Sequence, residues 1–149
     1  MTVVSRDASC PGLHVLEEPL AELDANFDVL DGKEGDWRDI ALRLDDGSRS
    51  RRFATIRREH DAAKVAPTLR RYVDDLGLVE PRNAADYLSS WLRNAKVLYS
   101  FSVSEDASDA AWQALHAVRR SLQLDTGGYV YTPGEGWSND DGFLLTWEV

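Results

Sequence analysis

In "KVLYSFSVSEDASDAAWQALHAVRRSLQLDTGGYVYT", Lys96–Thr132, three elements follow one another with little between them. Val97, Tyr99, Phe101 and Val103 alternate with Leu98, Ser100 and Ser102, the period of two expected of a strand buried on one face. Ser108 then stands as an N-cap before the helical stripe Ala111, Leu115, Val118 and Leu122, which Gly127 and Gly128 bring to a stop. Tyr129 to Thr132 opens a further strand. After a gap, "FLLTWEV" alternates Phe143, Leu145, Trp147 and Val149 against Leu144, Thr146 and Glu148. The C-terminal order is β-α-β-β, and a right-handed crossover would make the strands on either side of the helix parallel neighbours.

Upstream, "DIALRLDDGSRSRRFATI" places Ile40, Leu42 and Leu44 on one face, then the turn formers Asp45, Asp46, Gly47 and Ser48, then a second extended run through Phe53 to Ile56. That pattern predicts a hairpin. Two helices are expected next. Val65, Leu69, Tyr72, Val73 and Leu76 fall at helical spacing, with Pro67 confined to the first turn and a start near Ala63 to Ala66. Ala85, Leu88, Leu92 and Ala95 form a second stripe with Trp91 beside it. Gly77, Pro81 and Asn83 mark a seam near 77–83. The first 35 residues carry no decisive period, and 1–12 reads as a mobile segment. These elements imply one α+β domain over 1–149, a largely antiparallel sheet with about three helices packed on one face.

A chain of 149 residues is the usual size of one domain. A net charge of −9 repels phosphate backbones and anionic lipid, so neither nucleic acid nor a membrane is an expected partner. The single Cys10 cannot form an internal disulfide, which fits a reducing cytoplasm. With His14, His60 and His116 scattered, no metal-ligand spacing recurs and no cofactor is expected. No export signal and no run of 18 apolar residues is read. Only three of the 17 basic residues are Lys, which suggests a GC-rich bacterial source.

One stretch approaches a named chemistry. "WSNDDGFLLTWE" aligns with a calcium-binding loop if Trp137 is its first position, Asn139 its third, Asp141 its fifth, Gly142 its sixth and Glu148 its twelfth. An indole offers no oxygen, and strands rather than helices flank the segment, so a ten-residue hairpin loop over 133–142 is expected instead. Trp137 there, with Glu135, Asn139, Asp140 and Asp141, makes an aromatic and acidic surface for a basic partner. The competing expectation folds Trp137 back onto the sheet. The strip "RSRRFATIRREH" is a second candidate, with Arg51 and Arg52 as anion-binding guanidiniums. By period two, Arg52, Ala54, Ile56 and Arg58 share one face, and Arg51, Phe53, Thr55 and Arg57 the other. Pairing with the chain's 26 acidic residues is the plainer role for these arginines.

No G-x-S-x-G and no phosphate-binding glycine loop occurs. The expectation is therefore a non-catalytic, acidic, cytoplasmic bacterial protein that binds another protein with a basic surface, an immunity or antitoxin-like role being one concrete form. The alternative is a small-ligand module or enzyme with an anion pocket lined by Arg51, Arg52, Arg57 or Arg58.

Overall fold

The computed structural model describes residues 1–46, 49–78, 82–139 and 142–146, without the side chains of 46 and 142–146. The described chain holds strands β1 Thr2–Ser5, β2 Ala25–Lys33, β3 Asp36–Asp46, β4 Arg49–Glu59, β5 Val97–Val103, β6 Tyr129–Thr132, β7 Gly136–Asn139 and β8 Gly142–Thr146. Its helices are α1 His14–Leu20, α2 Ala62–Leu76, α3 Arg82–Leu92 and α4 Asp109–Thr126. The strands form one sheet in the order β2-β3-β4-β5-β1-β6-β7-β8, each neighbouring pair antiparallel. The expected α+β class is thus what forms, with four helices among the described residues rather than about three.

The helices divide between the two faces, where one face was expected to take them all. On one side Val15, Leu16 and Leu20 of α1 and Leu115, Val118 and Leu122 of α4 pack with Ile40, Leu42, Ile56 and Tyr99. On the other, Val65, Tyr72 and Leu76 of α2 and Leu88, Trp91 and Leu92 of α3 pack with Val4, Leu98 and Trp137. The cause lies in the central strands, where successive residues are apolar: Val3 enters the first cluster and Val4 the second. Leu98, read as the outer side of a half-buried strand, is 5% exposed beneath α2 and α3. The stretch 77–83 separates two helices of one cluster, not two domains.

Residues 1–12 do not form a mobile segment. β1 lies at the middle of the sheet, with Val3, Val4 and Ser5 fully buried, and Ser5 Oγ donates to the Thr126 carbonyl at 2.9 Å. Trp37 Nε1 ties the following loop down by donating to the Pro11 carbonyl at 2.9 Å. β1 also separates β5 from β6, so these two run in the same direction without being neighbours.

Local signals hold where the sequence carries caps. Ser108 Oγ accepts from the Ala111 N–H at 3.2 Å, and Gly127 ends α4 in the left-handed region at φ 63°. Helix α2 begins at Ala62 because Asp61 caps it, accepting from the Ala63 N–H at 2.9 Å, and this puts Pro67 in the second turn. The predicted hairpin is β3–β4, with a bulge at Phe53: Leu42 faces Ala54 while Arg43 faces Arg52. The extra residue turns Phe53 into the core beside Ala54 and moves Arg52 to the opposite face from Ala54.

The expected loop over 133–142 contains a strand. A turn at Pro133–Glu135, closed by the Glu135 N–H to Thr132 carbonyl bond at 3.0 Å, starts β7, and Trp137 is 1% exposed. Its ring lies 5.2 Å from both Tyr72 and Tyr131. Replacing Trp137 by Ala is expected to destabilise the fold by about 3–5 kcal/mol in denaturant titration. Trp137→Phe should remove a blue-shifted, poorly quenched component of the fluorescence.

Candidate functional site

The proposed loop surface lacks its aromatic member. Glu135 is exposed at the β6–β7 turn, but Trp137 points into the core and Asn139 is half-buried at the end of β7. Asp140 and Asp141, like Glu148, lie outside the described residues. Trp137 is therefore not available to a partner's surface. Arg51 and Arg52 belong to β4, which β5, β1 and β6 separate from β7. Arg51 pairs with Asp106, and Arg52 Nε lies 3.5 Å from Asp28 Oδ2.

Four arginines of the strip, Arg51, Arg52, Arg57 and Arg58, lie within 4 Å of an acidic side chain. Over β2, β3 and β4 the second face of the sheet carries no helix core and is closed by its own charged side chains. Arg43 reaches Asp28 at 3.3 Å and Asp45 at 2.7 Å, and Arg57 Nε reaches Asp39 Oδ1 at 3.1 Å. Beneath them Ala41 is fully buried. Such exposed pairs each contribute about 0–1 kcal/mol.

Where α2 begins to pass over this face lies a cleft of about 480 Å³, lined by Arg38, Asp39, Arg57, Glu59, Lys64 and Ser100 among others. Arg57 and Arg58 both belong to it, as the anion-pocket reading requires. Its charges are mixed, Arg38, Arg57, Arg58 and Lys64 standing with Asp31, Asp39 and Glu59. The hydrogen bond and charge of Asp39, joined by the charges of Glu59 and Asp31, hold the Arg57 guanidinium above its ordinary pKa. Lys64 Nζ stands 3.8 Å from Glu59 Oε1.

Arg58 is the only buried charged residue among those described, its side chain 3% exposed. Nη2 donates to the Ala8 carbonyl at 3.2 Å, Nη1 lies 3.5 Å from His60 Nδ1 and 3.9 Å from Asp36 Oδ1, and Nε has no partner. Opposite it on β5, Tyr99 is pushed up to about 12 by burial, an effect the Arg58 charge opposes. This cation pins the 6–12 loop to β4.

Charge collects elsewhere. Residues 17–36 hold Glu17, Glu18, Glu22, Asp24, Asp28, Asp31, Glu34 and Asp36 against the single Lys33, which accounts for most of the chain's −9. All but Asp28 are exposed. Folding gathers them at one border of the molecule: α1, its exit turn, the edge strand β2 and the two-residue β2–β3 turn. Glu17, Glu18, Glu22, Asp24 and Asp31 form no ion pair among the described residues. Counting charge in a sliding window would have shown this run; its placement along a sheet edge needs the fold.

No family model, no curated protein and no solved structure matches the chain. Function therefore rests on geometry. Among the described residues no three of His, Cys, Asp and Glu stand where they could hold a metal ion, and no histidine is hydrogen-bonded to a serine, cysteine or carboxylate. No described helix is long and apolar enough to cross a membrane.

Tyr99 generates a prediction at alkaline pH. An unfolded phenol ionises near 10 and the folded one near 12, so between these values the unfolded state alone loses a proton. Stability should be unaffected below pH 10 and fall as pH rises through that window, by on the order of 2 kcal/mol. Tyr72 and Tyr129, also raised by burial, act in the same direction. Urea titrations at pH 9 and pH 11 measure the loss, and Tyr99→Phe should reduce it.

Proposed function

We propose that this chain is a non-catalytic binding protein whose partner is another protein with a basic surface, engaged at the acidic border formed by α1, β2 and the β2–β3 turn. The observation that carries the reading is the concentration of eight acidic residues against one lysine in 17–36, nearly all exposed and five of them with neither an ion pair nor a side-chain hydrogen bond among the described residues. Carboxylates left without internal partners add nothing to the fold and repel one another. They accelerate encounter with a cation-rich surface and orient it. Arg51, Arg52 and Arg57 of β4, by contrast, are already matched by Asp106, Asp28 and Asp39.

A neutraliser of a basic toxic protein, working in the bacterial cytoplasm where Cys10 stays a free thiol, is the concrete form this role would take. Acidic cover of a basic active site is well suited to electrostatic steering. The partner is to be sought by capture from the source organism, and by protection of cells expressing a toxic product of a neighbouring gene. The decisive comparison is with the variant Glu17→Gln, Glu18→Gln, Glu22→Gln and Asp31→Asn. Each change is at the exposed surface and should shift stability by no more than about 0.5 kcal/mol. Association of the unchanged protein should slow steeply as salt is raised, and the variant should associate on the order of tenfold more slowly at low salt. Equal capture and equal on-rates for both proteins would refute the reading.

A further inference from the structure

The acidic border is also a strand edge. β2 ends the sheet with β3 as its one neighbour, so along its outer side backbone N–H and C=O groups face away from the sheet. The first half of the strand is regular. Ala25, Asn26, Phe27, Asp28 and Val29 face Leu44, Arg43, Leu42, Ala41 and Ile40 in unbroken register. Irregularity begins after Val29: Leu30 has no counterpart on β3 and Arg38 none on β2. No proline interrupts β2, and Val29 and Leu30 are 36% and 46% exposed.

Edge strands are commonly protected by bulges, prolines or charges against pairing with another chain. Here the bulge guards only the second half of β2, and no proline guards either half. Over Ala25–Val29 the Phe27 N–H donates to Asn26 Oδ1 at 2.9 Å and Asp28 is paired with Arg43 and Arg52, so the unpaired negative charge flanks the segment, Asp24 before it and Asp31 just beyond. Charge of one sign is selective. A second copy of this chain would bring the same carboxylates opposite themselves, whereas a strand carrying Lys or Arg would meet them as pairs across the ladder.

We propose that an extended, Lys- or Arg-bearing segment of the partner adds to β2 at Ala25–Val29, continuing the sheet by one strand. Backbone hydrogen bonds supply the register, apolar side chains of the segment cover Val29 and Leu30, and its basic side chains meet Asp24 and Asp31. This rests on the acidic-border reading and specifies its geometry.

The test uses the full chain and a nine-residue synthetic peptide, the length of β2, alternating Lys and Val. A second peptide of the same sequence is N-methylated at every amide, which keeps its charge and removes its hydrogen-bond donors. The unmodified peptide is expected to bind at low salt, to slow hydrogen exchange of amides within Ala25–Val29, and to bind on the order of tenfold more tightly than the methylated one. Equal affinity of the two peptides would overturn strand addition while leaving the acidic border as a charge-steered surface. Absence of binding by the unmodified peptide, or protection confined to α1, would overturn strand addition as well. A peptide alternating Glu and Val should not bind, and its binding with equal affinity would count against the charge argument itself.

Discussion

Four residues, Thr2–Ser5, hydrogen-bond two otherwise separate pieces of sheet into one. β1 pairs with β5 on one side and β6 on the other, so without it the sheet would divide into β2-β3-β4-β5 and β6-β7-β8. The same short strand supplies both cores, Val3 to the cluster under α1 and α4, Val4 to the cluster under α2 and α3. Its first backbone group shares this burial, and desolvation lowers the pKa of the Met1 amine. Because the middle of the sheet is apolar on both faces, helices must cover both. Over β2, β3 and β4 the face opposite α1 and α4 is closed by charged side chains, and the polar surface begins there.

Charge follows the same geometry. Three aspartates, Asp28, Asp39 and Asp45, lie among Arg43, Arg52 and Arg57 on the uncovered face and close it over Ala41. Pairing across strands makes a guanidinium-rich sequence into a surface with little excess charge. Apart from Asp28 and Asp36, the acidic residues of 17–36 have no such counterparts among the described residues, so most of the net charge of the molecule is left on one border. Net charge describes a whole chain; the location of unpaired charge describes a surface.

Legibility in the sequence followed the range of the signal. Helix α4, with Ser108 and Gly127 at its ends, the hairpin β3–β4 and the inward stripe of α3 are each specified within about a dozen residues, and each was recoverable. β1 and β7 were not. Each is four residues long, too short for a period, and each is stabilised by strands or helices far away in the chain. Pro133, Gly134 and Gly136 read as loop, and only packing against Tyr72 and Tyr131 shows that Trp137 belongs to a strand. The bulge at Phe53 likewise has no local mark, yet it sends Arg52 to the face of Arg57. Of the site, the residues were visible as composition, and the edge on which they stand was not.

The position of β1 shapes the order in which contacts can form. Its partners lie near residues 97–100 and 129–131, so the strand made first waits for most of the chain before either neighbour exists. The hairpins β2–β3 and β3–β4 close over short loops and need no such wait. Loop closure of this size is entropically costly before any contact rewards it, and it places this sheet among topologies dominated by non-local pairing. The strand part of the acidic border is thus assembled from local structure, while α1 docks on the distant α4 and the join at the centre of the sheet comes with completion of the fold.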